Sequence, residues 1–185
     1  MKIEDGKGSG RQASVSNVQR LNVSAKTQSR IFYATRDFGL GFVAVYDPIS
    51  AVAGDHIVYL KNSSTTKNLF ITNVELSSVE AAVFKTFGVT GTAASGELIT
   101  PANLNRSSNL NAEATCMRGD TAITGLTTDN LLGISRNSAN GETDEDYKGA
   151  LILGPNDAIV IEYDSGTAGS CSASIFFWYE NIGAS

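Results

Sequence analysis

AIVIEYDSGTAGSCSASIFFWYE, residues 158–180, decides the fold of this chain. Its two ends, AIVIEYDS (158–165) and CSASIFFWYE (171–180), are rich in β-branched and aromatic residues, and small turn-forming residues separate them. Such side chains fit a pleated, half-buried surface, so both ends read as strands. The second is apolar on both faces, because Ile175, Phe176, Phe177, Trp178 and Tyr179 are consecutive. A strand with one wet face alternates instead. Either a sandwich buries this strand completely as a central core strand, or its outer face meets another subunit. Trp and Tyr combine contact area with a polar tip and are favoured in interfaces, which marks Phe176, Trp178 and Tyr179 as candidate oligomer-interface residues.

Outward from this segment the same period of two recurs in LGFVAVY (40–46), HIVYLK (56–61), LFITNVEL (69–76), AVFKTFGV (82–89), EATCMR (113–118), LLGISR (131–136) and GALIL (149–153). Gly, Asn, Ser and Asp cluster between these runs, and no long stretch has the spacing of a surface helix. About eight strands in a body of about 150 residues argue for an all-β protein, an antiparallel jelly-roll-like β-sandwich. Two segments break the rhythm. Residues 90–112 read as a long polar loop with Pro101, and loops of that length in compact domains are often functional or interfacial. Residues 137–148 read as a solvated acidic turn carrying Glu142, Asp144, Glu145 and Asp146, without the ligand spacing of a helical calcium loop.

The first thirty residues are of a different kind. They hold eight apolar residues, three glycines and many small polar side chains. Fixing each backbone residue costs roughly 1–2 kcal/mol, so a defined shape there needs contact with something else. From Met1 to Arg36 seven basic residues face only Glu4 and Asp5, a balance of +5, whereas the rest of the chain has seven basic and seventeen acidic residues, a balance of −10. Residues 1–36 therefore read as a basic extended docking arm on an acidic body, residues 37–185. The candidate docking residues are Lys2, Asp5, Lys7, Arg11, Val15, Arg20, Leu21, Val23, Lys26 and Arg30. Their partner is a neighbouring copy, an acidic scaffold or nucleic acid, the last disfavoured by the acidic body and the scarcity of aromatic rings near the basic stretch. VSNVQRLNVSA (15–25) also alternates, as a strand added to a sheet does.

Other classes fall away on composition and motif. No run approaches the ~20 apolar residues that span a bilayer, and the polar N-terminus lacks the apolar core of a secretory signal, so no membrane partner and synthesis in the cytoplasm are expected. Cys116 and Cys171 have no metal-ligand spacing and read as two buried free thiols. His56 is the sole histidine, which excludes a two-histidine metal site. Beside Asp55 and with Ser63 or Ser64 it is the one candidate for a triad, yet the chain has no G-x-S-x-G elbow. GSGRQA (8–13) and GLGFVA (39–44) match G-x-G-x-x-A outside any βαβ context, Arg118, Gly119 and Asp120 spell an adhesion tripeptide in ordinary turn chemistry, and Asn22, Asn62 and Asn105 head N-x-[ST] triplets with no secretory route. No enzyme, cofactor or metal is expected.

IEDGKGSGRQASVSNVQRLNVSAKT (3–27) resembles a pattern at the N-termini of tailed-bacteriophage virion proteins, D-G-x-G-S-G-x-x-A-x-V followed by R-L-x-V-x-A. It is carried by Asp5, Gly6, Gly8, Ser9, Gly10, Ala13 and Val15, then Arg20, Leu21, Val23 and Ala25. YLKNSSTTKNLFITNV (59–74), ITPANLNRSSNLNAEAT (99–115), GDTAITGLT (119–127) and LGPNDAIVIEY (153–163) are similar to the same group. The resemblance implies a virion structural protein with a jelly-roll body, a homotrimer decorating the capsid exterior and docked on the major capsid protein or another virion protein, with capsid versus tail left open. A receptor- or carbohydrate-binding module is the rival, with Asn103, Asn105, Arg106 and Asn109 as polar contacts to a host surface glycan. A glycosidase is the other, and it needs a carboxylate pair such as Glu75 with Glu80 or Asp157 with Glu162.

Overall fold

β-branched and aromatic runs dictate the two layers seen in the computed structural model, which describes residues 2–4, 12–14, 30–119 and 122–182. One layer contains β3 (Gly41–Ala51), β5 (Lys67–Ser78), β11 (Gly141–Leu153) and β13 (Gly169–Asn181) in the order β11-β5-β13-β3, with the short β8 (Ala102–Asn103) beyond β3. The other contains β4 (Asp55–Asn62), β6 (Ala82–Ala94), β10 (Thr124–Asn137) and β12 (Ala158–Gly166) in the order β10-β6-β12-β4, extended past β4 by β9 (Ala114–Arg118) and β7 (Glu97–Ile99). Every pairing is antiparallel. The first and last of the eight long strands are neighbours, and successive long strands change layer except β6 and β10, which pair directly. That order is a jelly roll, two Greek keys wrapped into one sandwich. Separately, β1 (Lys2–Glu4) pairs with β2 (Gln12–Ser14).

The core lies between the layers. Phe42, Tyr46, Ile71, Leu76, Ile175 and Phe177 of the five-stranded sheet meet Val58, Leu60, Phe84, Ile159, Ile161 and Tyr163 of the six-stranded sheet, all essentially inaccessible to water. Burying each such side chain is worth roughly 1.5–3 kcal/mol, which is what holds the layers together. At one end Asn62, fully buried, ties both layers: its Nδ2 donates to the carbonyls of Lys67, Leu153 and Gly154, and its Oδ1 accepts from the Ser64 amide.

Three readings of the sequence need correction. Residues 30–36 do not continue an extended arm. They belong to helix α1 (Arg30–Phe38), a nine-residue element in which Ala34 is the buried side chain. Its C-terminus is closed by Gly39 at φ 63°, whose amide donates to Thr35 O, as a left-handed cap requires. Residues 90–112 are not one loop: β6 runs on to Ala94, and β7 and β8 reach the far edges of both sheets, in pieces too short to show a period. Finally, the acidic residues 142–146 stand in a strand. Only residues 138–140 turn, and β11 carries the charges as the edge strand of its sheet, where charge discourages pairing with foreign strands.

Candidate functional site

The outer face of the five-stranded sheet follows from the alternation of β13. Ile175, Phe177 and Tyr179 point inward, so Ser174, Phe176, Trp178 and Glu180 point out. Cross-strand register then sets Glu75 beside Ser174 and Asp144, Asn73 beside Phe176 and Asp146, and Phe70 beside Trp178 and Ile152. Val43 and Val45 complete the face from β3, Val45 with half its surface open. One part of this face is apolar and the other acidic. Glu75 and Asp144 are directly opposed like charges, with Glu142 and Asp146 on either side along β11, and among the described residues no ion pair reaches any of these four. Loss of hydration, reinforced by Asp144 and Glu142, raises the Glu75 carboxyl above its ordinary range.

Of the three aromatic residues read as an oligomer interface, the structure leaves only Phe176 partly open to solvent. Tyr179 is in the core, in edge contact with Phe42 and Phe177. Trp178 is outward but covered, stacked on Phe70 with ring centroids 4.4 Å apart. Consecutive aromatic residues thus mark a central strand whose outer end lies beneath a helix, a feature that single-strand periodicity does not reveal.

That helix is α1. A groove of about 290 Å³ separates it from β13, lined by Tyr33, Ala34, Phe38, Leu40, Trp178 and Glu180 among others. At its rim Arg30, the one docking-arm residue whose side chain is described, donates from Nη1 to Glu180 Oε2 at 3.1 Å. Phe32, Tyr33 and Phe38 remain about half exposed, Tyr33 in edge contact with Phe38 and Arg36 lying over the Phe32 ring. Asn105 holds the helix end by donating to Thr35 O and Arg36 O, while Asn103 donates to Gly39 O and Leu110 O. These asparagine amides are consumed in fastening α1 and the neighbouring loop. Asp5, Lys7, Arg11, Val15, Arg20, Leu21, Val23 and Lys26 lie outside the described residues, and Lys2 is described only as backbone of β1.

The outer face of the six-stranded sheet carries a continuous apolar row, one residue per strand: Leu131, Phe87, Val160, Tyr59, Met117 and Leu98. Ile123 covers its middle, so Val160 and Tyr59 are buried, whereas Leu131 and Leu98 at the ends are 49% and 69% exposed. No sequence signal distinguished these leucines, because exposure depends on what folds over them.

Catalytic geometry is not assembled around the candidates. His56 stands at the start of β4 and Ser63 just past its end, roughly 23 Å apart at the rise of a strand. Asp55 instead accepts from the Val52 amide in a turn, Ser63 Oγ is bonded to Thr115 Oγ1, and His56 Nε2 lies 3.4 Å from Glu162. Asp157 is held by the Gly154 amide, and Glu75 faces other carboxylates. No group of three or more metal-ligating side chains forms among the described residues. Burial pushes the Cys116 thiol up to about 11 and the Cys171 thiol to about 12. Comparison with protein-family models, curated proteins and solved structures finds no match.

Proposed function

We propose that this chain is a non-enzymatic structural protein of a tailed-phage virion, a trimeric capsid decoration protein whose N-terminal arm anchors it to the major capsid lattice while the jelly roll stands on the capsid exterior. The observation that carries this reading is the root of the arm. α1 is clamped to the body by Asn105 and by the Arg30–Glu180 pair, yet presents three half-exposed aromatic rings beside the basic stretch. Aromatic and arginine side chains are the usual anchors of protein interfaces, and repeated lattice sites turn weak anchors into strong attachment.

The test is saturation of undecorated phage heads by the full chain. Binding is expected to fall at least tenfold when Phe32, Tyr33 and Phe38 are replaced by Ala, and to vanish without residues 1–29. A truncated protein that still saturates the particles refutes the assignment, as does a full chain that binds none.

A further inference from the structure

We propose that Asn140 is a self-modifying site which the fold holds dormant, with Asn137 as the residue that keeps it shut. The inference concerns the turn between β10 and β11 and stands whether or not the particle reading does.

Asn140–Gly141 is the sole Asn-Gly step in the chain, and Asn140 stands exposed in the turn. In such a step the Gly141 nitrogen can attack Cγ of Asn140, because glycine carries no side chain to obstruct the approach. The N–Cγ bond forms, the side-chain nitrogen leaves as ammonia, and the product is a cyclic imide. Water then opens either carbonyl of the ring, leaving aspartate or isoaspartate. No reagent other than water is consumed.

The native turn forbids the first step. Asn140 is held at φ 54°, in the left-handed region that hairpin turns reserve for Asn and Gly. The ψ of about +47° that accompanies this region sets the Gly141 nitrogen on the far side of the Cα–C bond from Cβ, so the ring cannot close until that peptide plane turns over. Hydrogen bonds resist the rotation, since Gly141 N donates to Ser138 O at 2.9 Å and Asn140 N to Val79 O at 2.9 Å. The buried Asn137 locks the same turn, its Nδ2 donating to Leu76 O at 2.9 Å and to Gly141 O at 3.3 Å, while its Oδ1 accepts from Thr143 Oγ1. Conversion of Asn140 therefore counts openings of this turn. Each event adds a carboxylate close to Glu142 on an already acidic strand, and isoaspartate also lengthens the connection between the two layers by a backbone atom.

The test follows the peptide carrying Asn140 by mass spectrometry, after the full chain has been kept in mildly basic buffer, either native or unfolded in urea. Conversion is read as the mass gained when the side-chain amide becomes a carboxyl, and as separate aspartate and isoaspartate products. It is expected to be at least about tenfold slower in the native chain than in the unfolded one. Asn137→Ala is expected to speed it several-fold in native buffer and to leave the rate in urea unchanged, while the emission of the buried Trp178 confirms an intact fold. Thr143→Val, which only loosens Asn137, gives a smaller rise and decides the matter if Asn137→Ala does not fold. Equal rates in the native and unfolded chains overturn the proposal, as does a folded variant at either position that converts no faster than the unaltered chain.

Discussion

Phe70 and Trp178 lie face to face across β5 and β13, their planes 15° from parallel, and Trp178 lines the groove beside helix α1. Trp178 is the sole tryptophan, so its emission reports on this corner of the molecule. Trp178→Ala is expected to cost about 3 kcal/mol by cavity formation, and a double-mutant cycle with Phe70→Ala to return a coupling of about 1 kcal/mol, the amount a stacked pair adds beyond buried area. Denaturant titration followed by circular dichroism measures both. A coupling near zero means the rings are merely adjacent.

Asn62 is the second point of leverage. Replacing it with Ala strips a donor from three backbone carbonyls and an acceptor from Ser64, and about 3 kcal/mol of stability should go with it. Asn62→Asp keeps the shape but aims a carboxylate at carbonyl oxygens, so its folded-state pKa must rise. A raised carboxyl favours the fold only while protonated, and the variant is therefore expected to lose further stability as pH climbs from about 4 to about 7. Equal losses at both ends of that range are incompatible with the bonding described.

Acid stability should carry the signature of Glu113. Its carboxyl is held below the ordinary range first by Lys67, then by Ser64. A lowered carboxyl contributes stability that is present above the unfolded pKa and lost as pH falls through the folded one. Glu113→Gln should accordingly cost more stability at about pH 7 than in acid, by an amount limited to about 1 kcal/mol because the pair is partly open to solvent. A loss of the same size at both pH values sinks the claim.

Both thiols should be silent in the native state. Cys116 and Cys171 are buried and their ionisation is suppressed, while the thiolate is the reactive form. At about pH 8, a disulfide reagent is expected to modify neither until the protein is unfolded, and then to modify both. Rapid native labelling of Cys116 would show that β9 opens locally.

What the sequence disclosed depended on how many residues share one environment. β12 and β13 were legible because each has several consecutive apolar positions shielded from water on both faces, and about eight strand-like runs sufficed for a sandwich. β7 and β8 span three and two residues and offer no period at all. The first half of β11 was hidden because its outward residues are acidic, which mimics a turn when the partner β5 is unknown, whereas its last residues, GALIL (149–153), were legible. Helix α1 escaped because it spans only nine residues, too short a window for its helical period to stand out beside the strand runs. The candidate site was only half readable: the basic character of the arm is compositional, but the Arg30–Glu180 pair joins residues 150 positions apart.

That same pair puts the two ends of the folded body side by side, since Glu180 is two residues short of Ile182, where the described chain stops. A domain whose ends nearly touch accepts rewiring. A short linker from Ile182 back to Arg30, with new ends cut into the turn at 138–140, should give a permuted jelly roll with the same melting behaviour, and cargo fused at that turn would project from the far end of the sandwich, away from the Arg30–Glu180 corner.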